Sequence, residues 1–155
     1  MPKRSAGLLM YRGSGAGLSL LLVHPGGPFW ARKDLGAWSI PKGEYAPDED
    51  PLAAARREFE EETGARPHGE FQPLGDVVQA GGKRVSAWAV AGDLDPAALV
   101  SNMFELEWPP RSGRKQSFPE VDRAEWFAPD EARKKILAGQ RPFIDRLVKL
   151  VASGE

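Results

Sequence analysis

The chain has 155 residues and a mass of 16.9 kDa, which is the size of one ordinary globular domain. Its 21 Lys and Arg nearly balance 22 Asp and Glu, so no global field attracts it to nucleic acid or to an anionic membrane. The absence of cysteine excludes a disulfide framework, a thiol nucleophile and a Cys-ligated metal. We therefore expect a single domain over residues 1–155, and any attraction to phosphate must be local.

The sequence carries no sign of a membrane segment. No stretch has the roughly 20 consecutive apolar residues that a spanning helix requires. The apolar stretch 6–10 is too short for the core of a signal peptide. We expect a cytoplasmic protein, a monomer or homodimer, that forms no stable complex with nucleic acid.

Apolar runs bounded by turn residues predict the strands. In chain order these runs are Ser5–Tyr11, Leu18–Val23, Phe71–Gln79, Lys83–Val90, Phe104–Trp108 and Ala124–Phe127. The third and fourth runs are joined across Gly81-Gly82, a two-residue linkage that suits a hairpin turn. Residues 25–43, rich in glycine and proline, predict an irregular loop, and residues 109–119 predict a polar loop.

Three helices are predicted. The first spans Pro51–Thr63, because Asp50 is a good N-cap, proline suits the first helical position and Gly64 is a natural stop. The second opens at Pro129 and ends near Leu137, and the third runs over Pro142–Val151 with an apolar stripe at i, i+4, i+7 and i+8. This order of elements predicts an α/β fold in which a mixed sheet lies between helices.

Acidic residues are concentrated around the first helix, where residues 44–62 hold eight acids and two arginines. At about 100° per residue, Glu58, Glu61 and Glu62 fall on one helix face while the apolar residues share another. These acids crowd the C-terminal end, where the helix dipole disfavours anions. Mg²⁺ or Mn²⁺ on oxygen ligands would relieve the repulsion. The alternative is a solvated helix with internal pairs such as Arg57 with Glu61.

The spacing of the acids favours the metal site. From Gly43 the chain reads Gly, five residues, Glu49, seven residues, Arg57-Glu58-Phe59, one residue, Glu61-Glu62, one residue, Gly64-Ala65. This segment matches the Nudix box at every required position, and Trp38–Glu44 is similar to the approach segment of many members. The chain thus resembles a Nudix hydrolase, most of all the small bacterial nucleoside triphosphate pyrophosphohydrolases. The resemblance implies an α/β/α sandwich and Mg²⁺-dependent hydrolysis of a phosphoanhydride, with Mn²⁺ as a substitute.

The resemblance also implies roles for individual residues. The implied metal ligands are Glu58, Glu61, Glu62 and the backbone carbonyl of Lys42 or Gly43. Arg57 would orient the glutamates, and Glu49 and Phe59 would support the loop and helix without performing chemistry.

Family members often recruit a further acid from a later loop, and Glu120 is the best candidate here because it precedes the last strand. The competing acids are Asp122, Glu125, Glu105 and Glu107. The proton of the attacking water would pass to Glu58 or to Glu120, and the sequence does not decide between them.

Substrate contacts must come from outside the box. The candidates are the cations Arg32, Lys33, Arg111, Arg114 and Lys115, and the aromatic residues Phe29, Trp30 and Tyr45, which could stack on a base. A basic surface loop and ordinary core packing are the alternatives. His24 is interpreted as a structural residue, and His68 as an exposed one.

The family does not fix the substrate. The small size favours a compact nucleotide such as a nucleoside triphosphate, while dinucleoside polyphosphates, ADP-ribose and inositol pyrophosphates stay open. A non-catalytic nucleotide sensor with the same fold would usually have lost a box glutamate, and none is missing here.

Overall fold

The computed structural model describes residues 3–153. Its strands are β1 (Arg4–Arg12), β2 (Ser19–Pro25), β3 (Lys42–Glu44), β4 (Gln72–Val78), β5 (Arg84–Ala91), β6 (Met103–Glu107), β7 (Lys115–Pro119) and β8 (Val121–Phe127). Its helices are α1 (Pro51–Thr63), α2 (Pro129–Lys135) and α3 (Arg141–Ser153). In the described residues no helix is long and apolar enough to cross a membrane.

The main sheet is mixed, with strand order β4-β5-β1-β2-β8 and with β3 paired to β1 beside this path. Strands β1 and β5 are parallel, and the other pairs in the sheet are antiparallel. Strands β6 and β7 form a separate two-stranded hairpin. Glu120 is the one residue between the end of β7 and the start of β8, so it lies where the hairpin joins the main sheet.

Both faces of the sheet are covered, which is why β1 and β2 are almost continuously apolar. Alternate side chains divide between two cores, as Leu8 packs with Phe59 of α1 and Leu9 packs with Phe143 and Leu147 of α3. The α/β/α sandwich with a mixed sheet is therefore confirmed.

Helix α1 begins and ends where its capping residues predict. The side chain of Asp50 accepts a hydrogen bond from the backbone N–H of Ala53 at 3.0 Å. Gly64 adopts a φ of 80°, a left-handed conformation that stops the helix at little cost. Phe59 and Ala55 are fully buried against the sheet, so the acidic residues are directed to the helix edge.

Three expectations are corrected. Part of the expected polar loop 109–119 is strand β7, whose polar residues pair with β6. The connection between β4 and β5 runs over 79–83 with a short 3₁₀ turn, so it is longer than two residues. The loop 25–43 ends in a strand, because Lys42–Glu44 pairs with the start of β1.

Candidate active site

Glu62 is the most buried carboxylate of the acidic cluster, with 7% of its surface exposed. Its Oε2 accepts a hydrogen bond of 3.2 Å from the backbone N–H of Lys42, the first residue of β3. This bond ties the C-terminal half of α1 to the strand that carries the start of the Nudix box. The two parts of the box therefore meet in space although 20 residues separate them in the chain.

Gly43 lies directly against the carboxylate of Glu58. A Cβ atom on Gly43 would stand 2.1 Å from Cδ of Glu58, so the Glu58 carboxylate would have to move away from any side chain at this position. The backbone of Gly43 has an ordinary conformation, so glycine is required here for close approach and not for a turn. The Gly43 backbone thus forms one wall of the acidic cluster.

Arg57 connects the acids of the box through its guanidinium group. Its Nε and Nη2 donate to the two carboxylate oxygens of Glu49 at 3.1 Å each. Its Nη1 donates to Glu58 at 2.9 Å and, more weakly, to Glu61 at 3.4 Å. The two bonds to Glu49 fix the direction of the guanidinium group, so Arg57 both neutralises and orients Glu58 and Glu61, which are candidate metal ligands.

Backbone hydrogen bonds bring Glu120 to the acidic helix. The N–H of Asn102 donates to the carbonyl of Glu61 at 2.8 Å, and the N–H of Glu120 donates to the carbonyl of Asn102 at 2.8 Å. The carbonyl of Glu120 in turn accepts from the N–H of Gly26 at 2.9 Å. Sequence reasoning missed the role of Asn102, because backbone bonds leave no side-chain signature.

The acids of this cluster hold more negative charge than Arg57 offsets. Burial, together with the charges of Glu58 and Glu120, raises the pKa of Glu62 to about 9. Burial and the charge of Glu61 also raise the pKa values of Glu58 and Glu120. A site that disfavours its own negative charge in this way suits a divalent cation.

The donor chemistry fits Mg²⁺ or Mn²⁺, since every candidate ligand is an oxygen. Among residues 3–153, no three Asp, Glu or His side chains already stand close enough together to hold one ion. Arg57 engages Glu58 and Glu61, and the Lys42 N–H engages Glu62, so ligation requires these carboxylates to turn toward a common centre. The metal ligands and the catalytic roles therefore stay predictions.

A cavity of about 260 Å³ opens beside the acidic cluster. Glu62 and Glu120 line one side of it, and Trp30, Ile40 and other apolar residues line the rest. The side chain of Lys42 also lines this cavity, and burial lowers the pKa of its ammonium group. Lys42 was predicted from the sequence to have only a backbone role. Its position directly before the box, in Pro41-Lys42-Gly43, was the feature that could have indicated a role for the side chain as well.

The predicted substrate contacts of the loop before β3 are not all at this cavity. Trp30 lines it, and the ammonium group of Lys33 stands 5.0 Å from the centre of the Trp30 ring. Arg32 is exposed and outside the cavity lining. Tyr45 lines a different cavity, of about 490 Å³, together with Arg4 and Glu49.

The three cations near the hairpin tip do not form one patch. Lys115 pairs with Glu107 in the hairpin. At the next position toward the tip, the backbone carbonyl of Arg114 accepts a hydrogen bond of 2.9 Å from the N–H of Trp108. Because side chains alternate along a strand, Arg114 shares a hairpin face with Trp108, and Lys115 shares the opposite face with Glu107. Arg111 is at the tip, with a φ of 63°.

The Trp108 face of the hairpin packs on the loop that borders the cavity. The rings of Trp108 and Phe29 meet edge to face at 5.4 Å, and Phe104 lies directly over Gly27. Phe29 is nevertheless 60% exposed.

Of the competing acids, Asp122 bonds to His24, and Glu105 and Glu107 lie on the outer hairpin face, whereas Glu120 lines the cavity.

A family model of the NUDIX domain matches residues 1–147, so the chain belongs to the Nudix family. The Ap4A hydrolase of C. elegans, in a binary complex, has a similar structure with a TM-score of 0.65 and 21% identity, over 96% of this chain and 98% of that chain. A MutT protein from Methanosarcina mazei Go1 gives 0.62 and 21%, over 96% and 95%. The NUDIX domain of Shewanella oneidensis NrtR, complexed with ADP ribose, gives 0.63 and 15%, over 99% and 88%.

These identities establish a shared fold. No curated protein matches the chain. The family, with every required position of its box present, defines the class of this protein: it is a Nudix pyrophosphohydrolase, which hydrolyses diphosphate linkages of nucleotides.

Proposed function

We propose that the protein hydrolyses, with Mg²⁺, a phosphoanhydride bond in a nucleoside diphosphate linked to another group, with a nucleoside triphosphate as the first candidate. The observation that carries this proposal is the position of Glu62 and Glu120 at the edge of a cavity that also contains Trp30 and Lys42. The same cavity is thus bordered by carboxylates that suit a metal ion, by a lysine that suits phosphate and by an aromatic ring that suits a base.

Glu58, Glu61, Glu62 and Glu120 would hold Mg²⁺ or Mn²⁺, with the backbone carbonyl of Lys42 or Gly43. A metal held there would supply Lewis acidity, both to activate a water molecule and to neutralise charge on the leaving group. Arg57 keeps Glu58 directed at the cluster through its fixed contact with Glu49. The carboxylate of Glu58 or of Glu120 accepts the proton of the attacking water.

Lys42 and Trp30 are the proposed substrate contacts within the cavity. Lys42 is half-buried in a cavity lined by apolar residues and by Glu62 and Glu120, so its attraction to a phosphate oxygen is screened less than at the surface. Trp30 offers a ring for stacking, and Lys33 lies near that ring on the solvent side. A cavity of about 260 Å³ is small among ligand sites, which favours one compact nucleoside group over two.

A dinucleoside polyphosphate is the second candidate, and the hairpin is the observation that favours it. Phe29, which is exposed, and Trp108, which is half-buried, form an aromatic pair outside the cavity lining, and Arg114 lies on the same hairpin face as Trp108. A second base could stack there while the first occupies the Trp30 cavity. The similar fold of an Ap4A hydrolase agrees with this alternative.

A substrate panel tests the proposal and separates the candidates. The protein is incubated with Mg²⁺ and nucleoside triphosphates, dinucleoside polyphosphates, ADP-ribose or an inositol pyrophosphate, and the products are separated by chromatography. We expect fastest turnover of a nucleoside triphosphate, and loss of turnover when a chelator removes the metal. Nucleotide binding without turnover in either Mg²⁺ or Mn²⁺ would instead indicate a sensor. Repeating the reaction in ¹⁸O-water identifies the phosphorus that is attacked.

A further inference from the structure

His24 is completely buried at the end of β2, and both of its ring nitrogens are bonded. Its Nδ1 lies 2.8 Å from Oδ1 of Asp122, and its Nε2 lies 2.6 Å from the carbonyl oxygen of Lys33. We propose that His24 is a positioning residue for substrate binding, which uses two N–H groups to hold two walls of the cavity together. The kinetic part of this inference rests on the proposed function.

The hydrogen-bonding partners define what the ring must supply. A backbone carbonyl can only accept, so Nε2 must donate to Lys33. The carboxylate of Asp122, which is one-third exposed, also accepts, so Nδ1 must donate as well. A ring that donates from both nitrogens is an imidazolium, and Asp122 is its counter-ion. Neither His24 nor Asp122 is among the residues that line the cavity.

The position of His24 gives these two bonds a role at the site. Its chain neighbours Val23 and Pro25 both line the cavity, as do Val121, next to Asp122, and Trp30, three residues before Lys33. His24 therefore stands directly behind the cavity wall. One of its bonds holds the loop that carries Trp30, and the other holds the strand that begins after Glu120.

The side chains around the ring hold it in place. Arg123 approaches Asp122 at 3.7 Å, and its guanidinium group lies 5.2 Å from the ring centre of Trp38. Trp38 meets His24 edge to face at 5.2 Å, and its Nε1 donates to Asp34, which is paired with Lys135. The ring is thus enclosed by side chains that are themselves bonded, which leaves it little freedom to turn.

Loss of one donor would leave a carbonyl or carboxylate without its partner and would loosen the loop that carries Trp30. The expected result is weaker nucleotide binding with unaltered chemistry, because His24 touches none of the acids of the α1 cluster. A histidine that only fills the core would behave differently, since its replacement would lower stability while the folded protein kept its affinity for nucleotide.

Nitrogen NMR on the unmodified protein tests the first part of the inference. The chain has only two histidines, so a ¹⁵N-histidine sample gives two ring systems, and the variant His68→Gln assigns them. At pH 7.5 we expect both nitrogens of His24 to carry hydrogen, with and without Mg²⁺. One hydrogen-free nitrogen in the His24 ring would overturn the proposal. This readout needs neither a destabilising variant nor turnover.

Kinetics with ATP and Mg²⁺ tests the second part. Glutamine can supply only one of the two donors, so His24→Gln is expected to raise KM about tenfold while kcat changes less than threefold. Asp122→Asn keeps an acceptor and removes the charge, and its KM is expected to rise less. Val90→Ala, a buried change outside the cavity lining, controls for general loss of stability and is expected to keep the parent KM.

An unchanged KM in folded His24→Gln would overturn the positioning role. If His24→Gln does not fold, Asp122→Asn decides it in the same way, because its packing is nearly conserved. If the unmodified protein does not turn over ATP, the proposed function fails for ATP, and calorimetric binding of ATP replaces KM in the same comparison. If ATP does not bind at all, the positioning role falls as well, and the NMR result then concerns only the bonding of the ring.

Discussion

Helix α1 and the β6–β7 hairpin each carry a cluster of like charges, but the two clusters are arranged differently. On α1, the helical period directs Glu58, Glu61 and Glu62 to one edge of the helix, beside the face that buries Phe59. On the hairpin, the period of two sends the neighbouring Arg114 and Lys115 to opposite faces. Charges that are close in sequence therefore act together only when the period of their element brings them to the same side.

The two regions also differ in how their charges are held. The α1 acids have fixed partners in Arg57 and in the Lys42 N–H. Within residues 3–153, the hairpin cations Arg111, Arg114 and Lys115 form no ion pair. Changes on α1 should therefore alter the chemistry, whereas changes on the hairpin should alter only the affinity for substrate.

The largest effect is expected from Glu58→Gln, which removes one negative charge from the acidic cluster of α1 and leaves the size of the side chain nearly unchanged. We expect kcat to fall about 100-fold to 1,000-fold, which is typical for the loss of a group that stabilises the transition state. Glu60→Gln is the matched control, since Glu60 is on the same helix but is exposed and paired with Arg66. Steady-state kinetics of Glu58→Gln within twofold of the parent would contradict the metal centre on α1.

Gly43→Ala tests the close approach of backbone and carboxylate at the same edge. The new methyl group would occupy the position of the Glu58 carboxylate and force it to turn away, so we expect a fall in kcat of at least tenfold with a loss of stability below about 1 kcal/mol. Gly17→Ala is the control, because a Cβ there meets no atom within 4 Å. Thermal unfolding and kinetics measure both effects, and equal results for the two variants would refute the steric argument.

A smaller effect is expected from Glu49→Gln, because Arg57 keeps its contacts with Glu58 and Glu61. The glutamine amide keeps one oxygen that can accept from the Arg57 guanidinium group but loses the negative charge, so we expect kcat to fall about threefold to tenfold. Kinetics of Glu49→Gln and Glu58→Gln side by side rank the two roles. A loss for Glu49→Gln as large as that for Glu58→Gln would mean that Glu49 itself takes part in the chemistry.

The contrast between α1 and the rest of the site explains what the sequence could predict. The boundaries of α1 depend on local signals, Asp50, Pro51 and Gly64, and these appear in the structure as predicted. Strand β7 was missed because Lys115–Ser117 is exposed and polar on both faces, and so has no alternating pattern.

Long-range contacts were the other part that the sequence could not supply. The link through Asn102 is made by backbone atoms, and the partner of His24 at Asp122 is 98 residues away. Neither contact has a periodicity or a spacing that a single sequence could reveal. The first arises when the segment before β6 meets α1, and the second when β2 pairs with β8.

The smallest effect is expected on the hairpin, where Arg114→Ala and Lys115→Ala form a matched pair. Both variants remove one exposed cation, but only Arg114 shares the face of Trp108 that packs on the cavity loop. We expect Arg114→Ala to raise KM about threefold to tenfold with little change in kcat, and Lys115→Ala to stay within twofold. Equal effects of the two variants would mean that the hairpin attracts substrate through its net charge, and the division of its cations between two faces would then have no role.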